Sequence, residues 1–110
     1  MPLDLPKPIA EYFAADQARD AHALARCFAV DGVVHDEGGT FRGTEAIRDW
    51  SAATREKYHH TVEPLSASER DGATIVAGRV AGDFPGSPVT LDHVFRLEGN
   101  KIVSLEIRSR

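Results

Sequence analysis

The chain has 110 residues, 42% of them hydrophobic, which is enough for one domain with one core and too short for two. A formal net charge of −4 leaves no basic face for a phosphate backbone or an anionic membrane surface, so neither nucleic acid nor membrane is an expected partner. The lone cysteine, Cys27, cannot close an internal disulfide, and no apolar run approaches the roughly 20 residues of a membrane span; a cytoplasmic protein is expected.

One domain over 1–110 is expected, without repeats or linkers. From Pro8 to Ala18, Ile9, Tyr12 and Phe13 recur at helical spacing, and Pro2, Pro6 and Pro8 fall where a helix start tolerates proline. Asp20 then reads as the cap of a second helix running through Leu24, Cys27 and Phe28. Asp31-Gly32 ends that pattern. Val33-Val34-His35-Asp36 reads as a short strand, turned back at Gly38-Gly39 through Thr40-Phe41-Arg42. Thr44 is placed as the cap of a third helix, in which Ile47, Trp50, Thr54 and Tyr58 share one stripe.

Beyond this helix the pattern alternates. Strands are predicted at about 59–69, 73–84, 89–98 and 101–109, separated by Asp71-Gly72, Pro85-Gly86 and Gly99-Asn100. Four consecutive strands with short turns make an antiparallel meander, so the class is α+β, with three helices from the N-terminal half packed on a curved, mostly antiparallel sheet.

The run from Phe28 to Asp36, then Gly43-Thr44-Glu45-Ala46-Ile47-Arg48-Asp49-Trp50, resembles the nuclear transport factor 2-like superfamily, in particular its SnoaL-like and ketosteroid isomerase-like branches. Val80–Pro88 and the stretch from Phe95 to Ile107 resemble the closing strands of small SnoaL-like proteins, so the likeness covers about nine-tenths of the chain. It implies a cone-shaped fold around an apolar cavity, with frequent homodimerisation. The superfamily holds isomerases, cyclases, dehydratases and non-catalytic binding proteins, so the resemblance implies no single reaction.

Three residues are candidates for chemistry. Asp36 ends the strand at the position where the isomerase pattern has its proton-shuttling aspartate, and alternation puts it on the face of Val34. If Val34 is core, Asp36 looks into the cavity, where desolvation raises a carboxylate pKa toward that of a useful general base. The plain alternative is an exposed acidic turn, Asp36-Glu37-Gly38-Gly39. Tyr12 aligns with the helix tyrosine that donates to an oxyanion in the isomerase pattern; its alternative is ordinary core packing.

The third isomerase group, a protonated aspartate on a late strand, falls on Asp92 without a gap and on His93 with one residue removed from the last hairpin. Leu91, His93, Phe95 and Leu97 form the more apolar alternating set, which turns His93 inward as a donor or acid–base partner, a structural histidine being the other reading. Phe28, Val34, Trp50, Tyr58, Phe95 and Ile107 are the expected pocket lining.

His59 and His60 are adjacent on a predicted strand and face apart, so with His35 they make a poor metal set. His22 reads as solvated and Cys27 as a buried hydrophobe. Without a glycine-rich phosphate loop, nucleophile elbow or paired-cysteine motif, no cofactor and no metal is expected. The expected function is a cofactor-independent isomerase- or cyclase-like enzyme for a small hydrophobic carbonyl or cyclic compound, with Asp36 as base. The alternative is a non-catalytic ligand-binding or dimerisation module of the same fold.

Overall fold

The computed structural model describes residues 4–109. Helix α1 (Lys7–Gln17) begins behind Pro6 and carries Pro8 in its first turn, where the missing N–H has no helical partner to lose. Ile9, Tyr12, Phe13 and Asp16 fall on its buried stripe, so the helix turns one carboxylate inward along with its apolar side chains. Helix α2 (Ala21–Arg26) is capped by Asp20, whose side chain accepts from the Ala23 N–H at 3.0 Å.

Strand β1 (Phe28–Asp36) starts earlier than expected. Phe28 opens the strand instead of continuing the helix, and Asp31-Gly32 lies inside the strand at an irregularity, where the pairing with the last strand shifts register between Phe28 and Val33. An added Cβ on Gly32 would lie 3.0 Å from the Ala29 carbonyl and 3.1 Å from that of Ile102, so close backbone approach explains the glycine. The turn to β2 (Gly39–Arg42) uses Glu37 and Gly38, both at positive φ, rather than Gly38-Gly39.

Helix α3 (Thr44–Tyr58) is preceded by Gly43 at φ 92°, and Thr44 is its first helical residue, not its cap. The helix lays Ile47, Trp50 and Ser51 on its buried side and ends at His59, which takes a left-handed conformation. His59 therefore terminates a helix rather than opening a strand. The meander follows as β3 (Thr61–Arg70), β4 (Ala73–Ala81), β5 (Val89–Glu98) and β6 (Lys101–Ser109).

The six strands form one sheet in the order β2-β1-β6-β5-β4-β3. All neighbours are antiparallel except β1 and β6, because the meander returns its last strand beside the first. Pro64 lies in β3, an edge strand, where a missing N–H costs the sheet least. Between sheet and helices, Tyr12, Phe13 and Phe95 make edge-to-face contacts with centroids 5.1–5.7 Å apart. No described helix is long and apolar enough to cross a membrane.

Candidate functional site

A cavity of about 600 Å³ opens between α1, α3 and the sheet. That volume is in the range of small-molecule sites. Its polar lining includes Tyr12 and Asp16 on α1, Asp36 at the end of β1, Ser51 and Thr54 on α3, His60 just before β3, His93 on β5, and Arg108 and Ser109 on β6. Trp50, Tyr58 and Ile107 border it, whereas Phe28, Val34 and Phe95 do not. Those three are 0–2% exposed and belong to the core, where Tyr12 and Phe13 of α1 meet Phe28 and Phe95 edge-on.

Asp36 is partly buried at the strand end, and the indole N–H of Trp50 donates to its Oδ2 at 3.0 Å. Burial pushes its pKa above the usual 3.8, the Trp50 hydrogen bond pulls it down, and the Glu37 charge pushes it up. Alternation thus delivers a desolvated carboxylate whose position is held by a side chain fourteen residues away.

Tyr12 is 4% exposed. Its phenol is held well above its usual pKa by burial first, then by the charges of Asp16 and Asp36, so it remains an O–H donor at any physiological pH. His93 is 2% exposed and stacks near Phe95. Burial lowers its pKa from 6.5 and keeps the ring neutral near pH 7, opposed by the carbonyls of Leu91 and Val76 and the Asp16 charge. Asp92 is half-buried with its own interactions, and it is His93, not Asp92, that lines the cavity.

A further detail explains how an imidazole fits against the sheet. A Cβ built on Gly78 would stand 2.9 Å from His93 Cε1 and 3.1 Å from Nδ1. Gly78 has no positive φ, so the glycine serves space and not backbone conformation.

Among the lining residues that sequence reasoning did not assign to the site are Asp16 and His60. Asp16 is on the same helical stripe as Ile9 and Tyr12, and an acid at a stripe position was the available signal. Its Oδ1 accepts from Arg55 Nη2 at 2.6 Å, both side chains being at most 13% exposed. Arg55 also donates to the Asp16 carbonyl and, through Nη1, to the His60 carbonyl, each at 2.7 Å. One guanidinium thus ties α1, α3 and the start of β3. Adjacent His59 and His60 part company: His59 turns outward to Asp83 and His60 to the cavity, edge-on to Tyr58. His35 bonds Thr40 at the hairpin, and no described cluster of three His, Cys, Asp or Glu could hold a metal ion.

At the mouth, Tyr58 donates to Glu37 Oε1 at 2.8 Å and meets Phe84 edge-on with centroids 5.9 Å apart. Phe84-Pro85-Gly86 forms the lip. Cys27 is buried, its thiol pKa raised by burial, and it is not among the lining residues.

Comparison with known proteins agrees with this geometry. None of the curated proteins is similar enough in sequence to match. Among solved structures, a candidate polyketide cyclase from Sinorhizobium meliloti is 40% identical, covers 96% of this chain and 96% of its own, and has a TM-score of 0.91. A protein from Catenulispora acidiphila with a ketosteroid isomerase-like fold, crystallised with trimethylamine, is 25% identical over 94% of this chain and 85% of its own, with a TM-score of 0.83. TerC, co-crystallised with polyporic acid, shares the fold at 21% identity, covering 94% and 88% of the two chains with a TM-score of 0.77. The sequence matches the SnoaL-like domain over residues 9–105, and the chain belongs to that family.

Proposed function

We propose that the chain is a cofactor-independent isomerase- or cyclase-like enzyme for a small cyclic or polyketide-like carbonyl compound, with Asp36 as general base. The observation that carries this reading is the Asp36 carboxylate itself: partly desolvated, fixed by the Trp50 N–H, and lining the same cavity as a neutral phenol and a neutral imidazole. The 40%-identical cyclase candidate supports the substrate class.

In this mechanism Asp36 takes a proton from the carbon next to a carbonyl, and negative charge develops on the carbonyl oxygen. Tyr12 donates its O–H to that oxygen, with His93 as the second polar group. Such donors are worth most where charge appears in a dry site, about 10²–10³-fold in rate for one donor. The enolate is then reprotonated from Asp36 at a new carbon, or its carbon attacks an internal carbonyl to close a ring and the resulting alkoxide takes the proton back from Asp36. The indole N–H stabilises the ionised base, so the hydrogen bond sets how strong a base Asp36 is without removing its proton affinity. A homodimer belongs to this proposal, with a sedimentation mass of twice the 12.0 kDa chain expected and a monomer mass contradicting it.

The test is α-proton exchange in D₂O over a panel of cyclic ketones, wild type against Asp36→Asn. A fall of about 100-fold or more is expected for loss of a general base. Equal rates remove Asp36 from the mechanism.

A further inference from the structure

The exposure of the lining residues gives the cavity an inside and an outside. Glu37, Gly38, Pro85 and Gly86 are exposed and mark the opening, whereas Tyr12 and Asp16 are buried and belong to the closed end. These two stand one turn apart on α1, at the i and i+4 positions that bring side chains together on one helix face. Tyr12 is 4% exposed and Asp16 8%, so both are more than nine-tenths buried.

The hydrogen bonds around Asp16 leave one of its oxygens over. Arg55 Nη2 meets the carboxylate at Oδ1, 2.6 Å away, and the other donations of the guanidinium go to the carbonyls of Asp16 and His60. The clamp is therefore one-pronged on the carboxylate and does not occupy Oδ2. Among the described residues, neither Asp16 Oδ2 nor Tyr12 Oη has a hydrogen-bond partner, and neither is one of the unpartnered atoms that are sealed in, which are the Nδ1 atoms of His60 and His93. In side chains buried this far, the space such open atoms face is the cavity that both residues line. Their hydrogen-bonding sense follows from their chemistry. A carboxylate bound to a guanidinium, which keeps its charge at every physiological pH, only accepts, whereas a phenol has a hydrogen to donate. The closed end therefore presents one donor and one acceptor a helical turn apart, and leaving either buried without a partner is costly.

We infer that Asp16 is a substrate-recognition residue, and that the ligand it selects is a carbonyl compound with a hydroxyl close by, the carbonyl oxygen on Tyr12 and the O–H on Asp16 Oδ2. This rests on the carbonyl-directed reading of the cavity and narrows its substrate class. Arg55 makes such an acceptor possible inside the fold: it balances the charge and holds Oδ1, so the ligand supplies a neutral O–H and not a cation. A ketone without a hydroxyl leaves Oδ2 unpaired, and a site that bonds a hydroxyl discriminates strongly against an analogue that lacks it.

The experiment titrates wild type and Asp16→Asn by NMR with 3-hydroxycyclohexanone and with 3-methoxycyclohexanone, whose ether oxygen accepts a hydrogen bond but has no hydrogen to give. Asparagine keeps an oxygen for Arg55 and turns an N–H toward the cavity, so the acceptor becomes a donor of the same shape, which either probe can satisfy. Wild type is expected to prefer the hydroxyketone by about tenfold or more, with the ratio of affinities falling toward one in Asp16→Asn. Equal affinities in wild type, or an undiminished preference in Asp16→Asn, overturn the inference. Should Asp16→Asn fail to fold, the ¹³Cγ signal of Asp16 in wild type decides: it moves with the hydroxyketone and not with the ether, and a signal that responds alike to both or to neither overturns the inference. Exchange rates of Asp36→Asn read the base assignment separately. Exchange that depends on Asp36 alongside equal affinities keeps the base and removes the recognition role, and a hydroxyl preference alongside unchanged exchange does the reverse.

Discussion

Trp50, in the middle of α3, donates its indole N–H to the carboxylate of Asp36 at the end of β1, 3.0 Å away. The bond ties the end of β1 to the helix and bears on the protonation of the one carboxylate expected to move a proton. Because burial outweighs the bond, the carboxyl holds its proton more tightly in the folded chain than in the unfolded one. Its contribution to stability is therefore fully present below the ordinary value of 3.8 and is lost as pH rises through the raised value.

Asp36→Asn is accordingly expected to stabilise the protein at pH 7, by no more than about 1 kcal/mol since the carboxylate is partly solvated. Urea unfolding at pH 7 and near pH 3.5 measures this. A gain at pH 7 that vanishes at the lower pH is predicted; a destabilised variant at pH 7 contradicts it.

Gly78→Ala tests the seat of His93. The new methyl group stands 2.9 Å from the ring and 3.1 Å from Val62 Cγ1, in a packed wall that can give only by moving the imidazole. A loss of about 1–3 kcal/mol in unfolding free energy is expected from overpacking, together with a changed His93 ring spectrum. An unperturbed spectrum shows that the ring was not confined there.

Arg55→Met leaves Asp16 without its cation in a pair whose side chains are 13% and 9% exposed, and the His60 carbonyl without its donor. Breaking one side of such a pair costs about 3–5 kcal/mol. Thermal or urea unfolding reads this directly, and a cost under about 1 kcal/mol, typical of an exposed pair, contradicts the clamp.

Much of this architecture is legible in the residue order. The 3.6-residue stripes of α1 and α3 and the alternation of the last four strands fix element types, and Leu91, His93, Phe95 and Leu97 alternate strongly enough to place His93 inside. What failed has local causes. Cys27 and Phe28 sit at helical spacing from Leu24, yet the helix closes at Arg26 and Phe28 pairs with Ile102, a contact seventy-four positions away that periodicity cannot register. Gly43, at φ 92°, outcompetes Thr44 at the start of α3 because the chain must turn there, its N–H bonding the Gly32 carbonyl. Phe28, Val34 and Phe95 are apolar and inward like true lining residues, and what puts them in the core, such as the α1 rings over Phe28 and Phe95, lies outside the strand pattern. The Asp16–Arg55 partnership spans 39 positions, which no local pattern registers, and is visible only in three dimensions.

Buried His93 and half-buried His60 are expected to make stability fall on the acid side. His93 and His60 have pKa values lowered chiefly by burial, so their contribution to stability is present above 6.5 and is lost as pH falls below it. Stability is expected to decline from about pH 6.5 downward and to decline less in His93→Gln. Identical pH slopes in wild type and variant contradict a neutral buried imidazole.

The claim that Asp36 is the working base is tested most directly by measuring its own titration, through the ¹³C signal of the carboxyl, against the acid limb of the exchange rate in wild type and Trp50→Phe. Removing the indole N–H takes away the interaction that lowers the Asp36 pKa. The account predicts that titration and acid limb coincide in wild type and move upward together in Trp50→Phe. An acid limb that stays put while the carboxyl titration moves contradicts it.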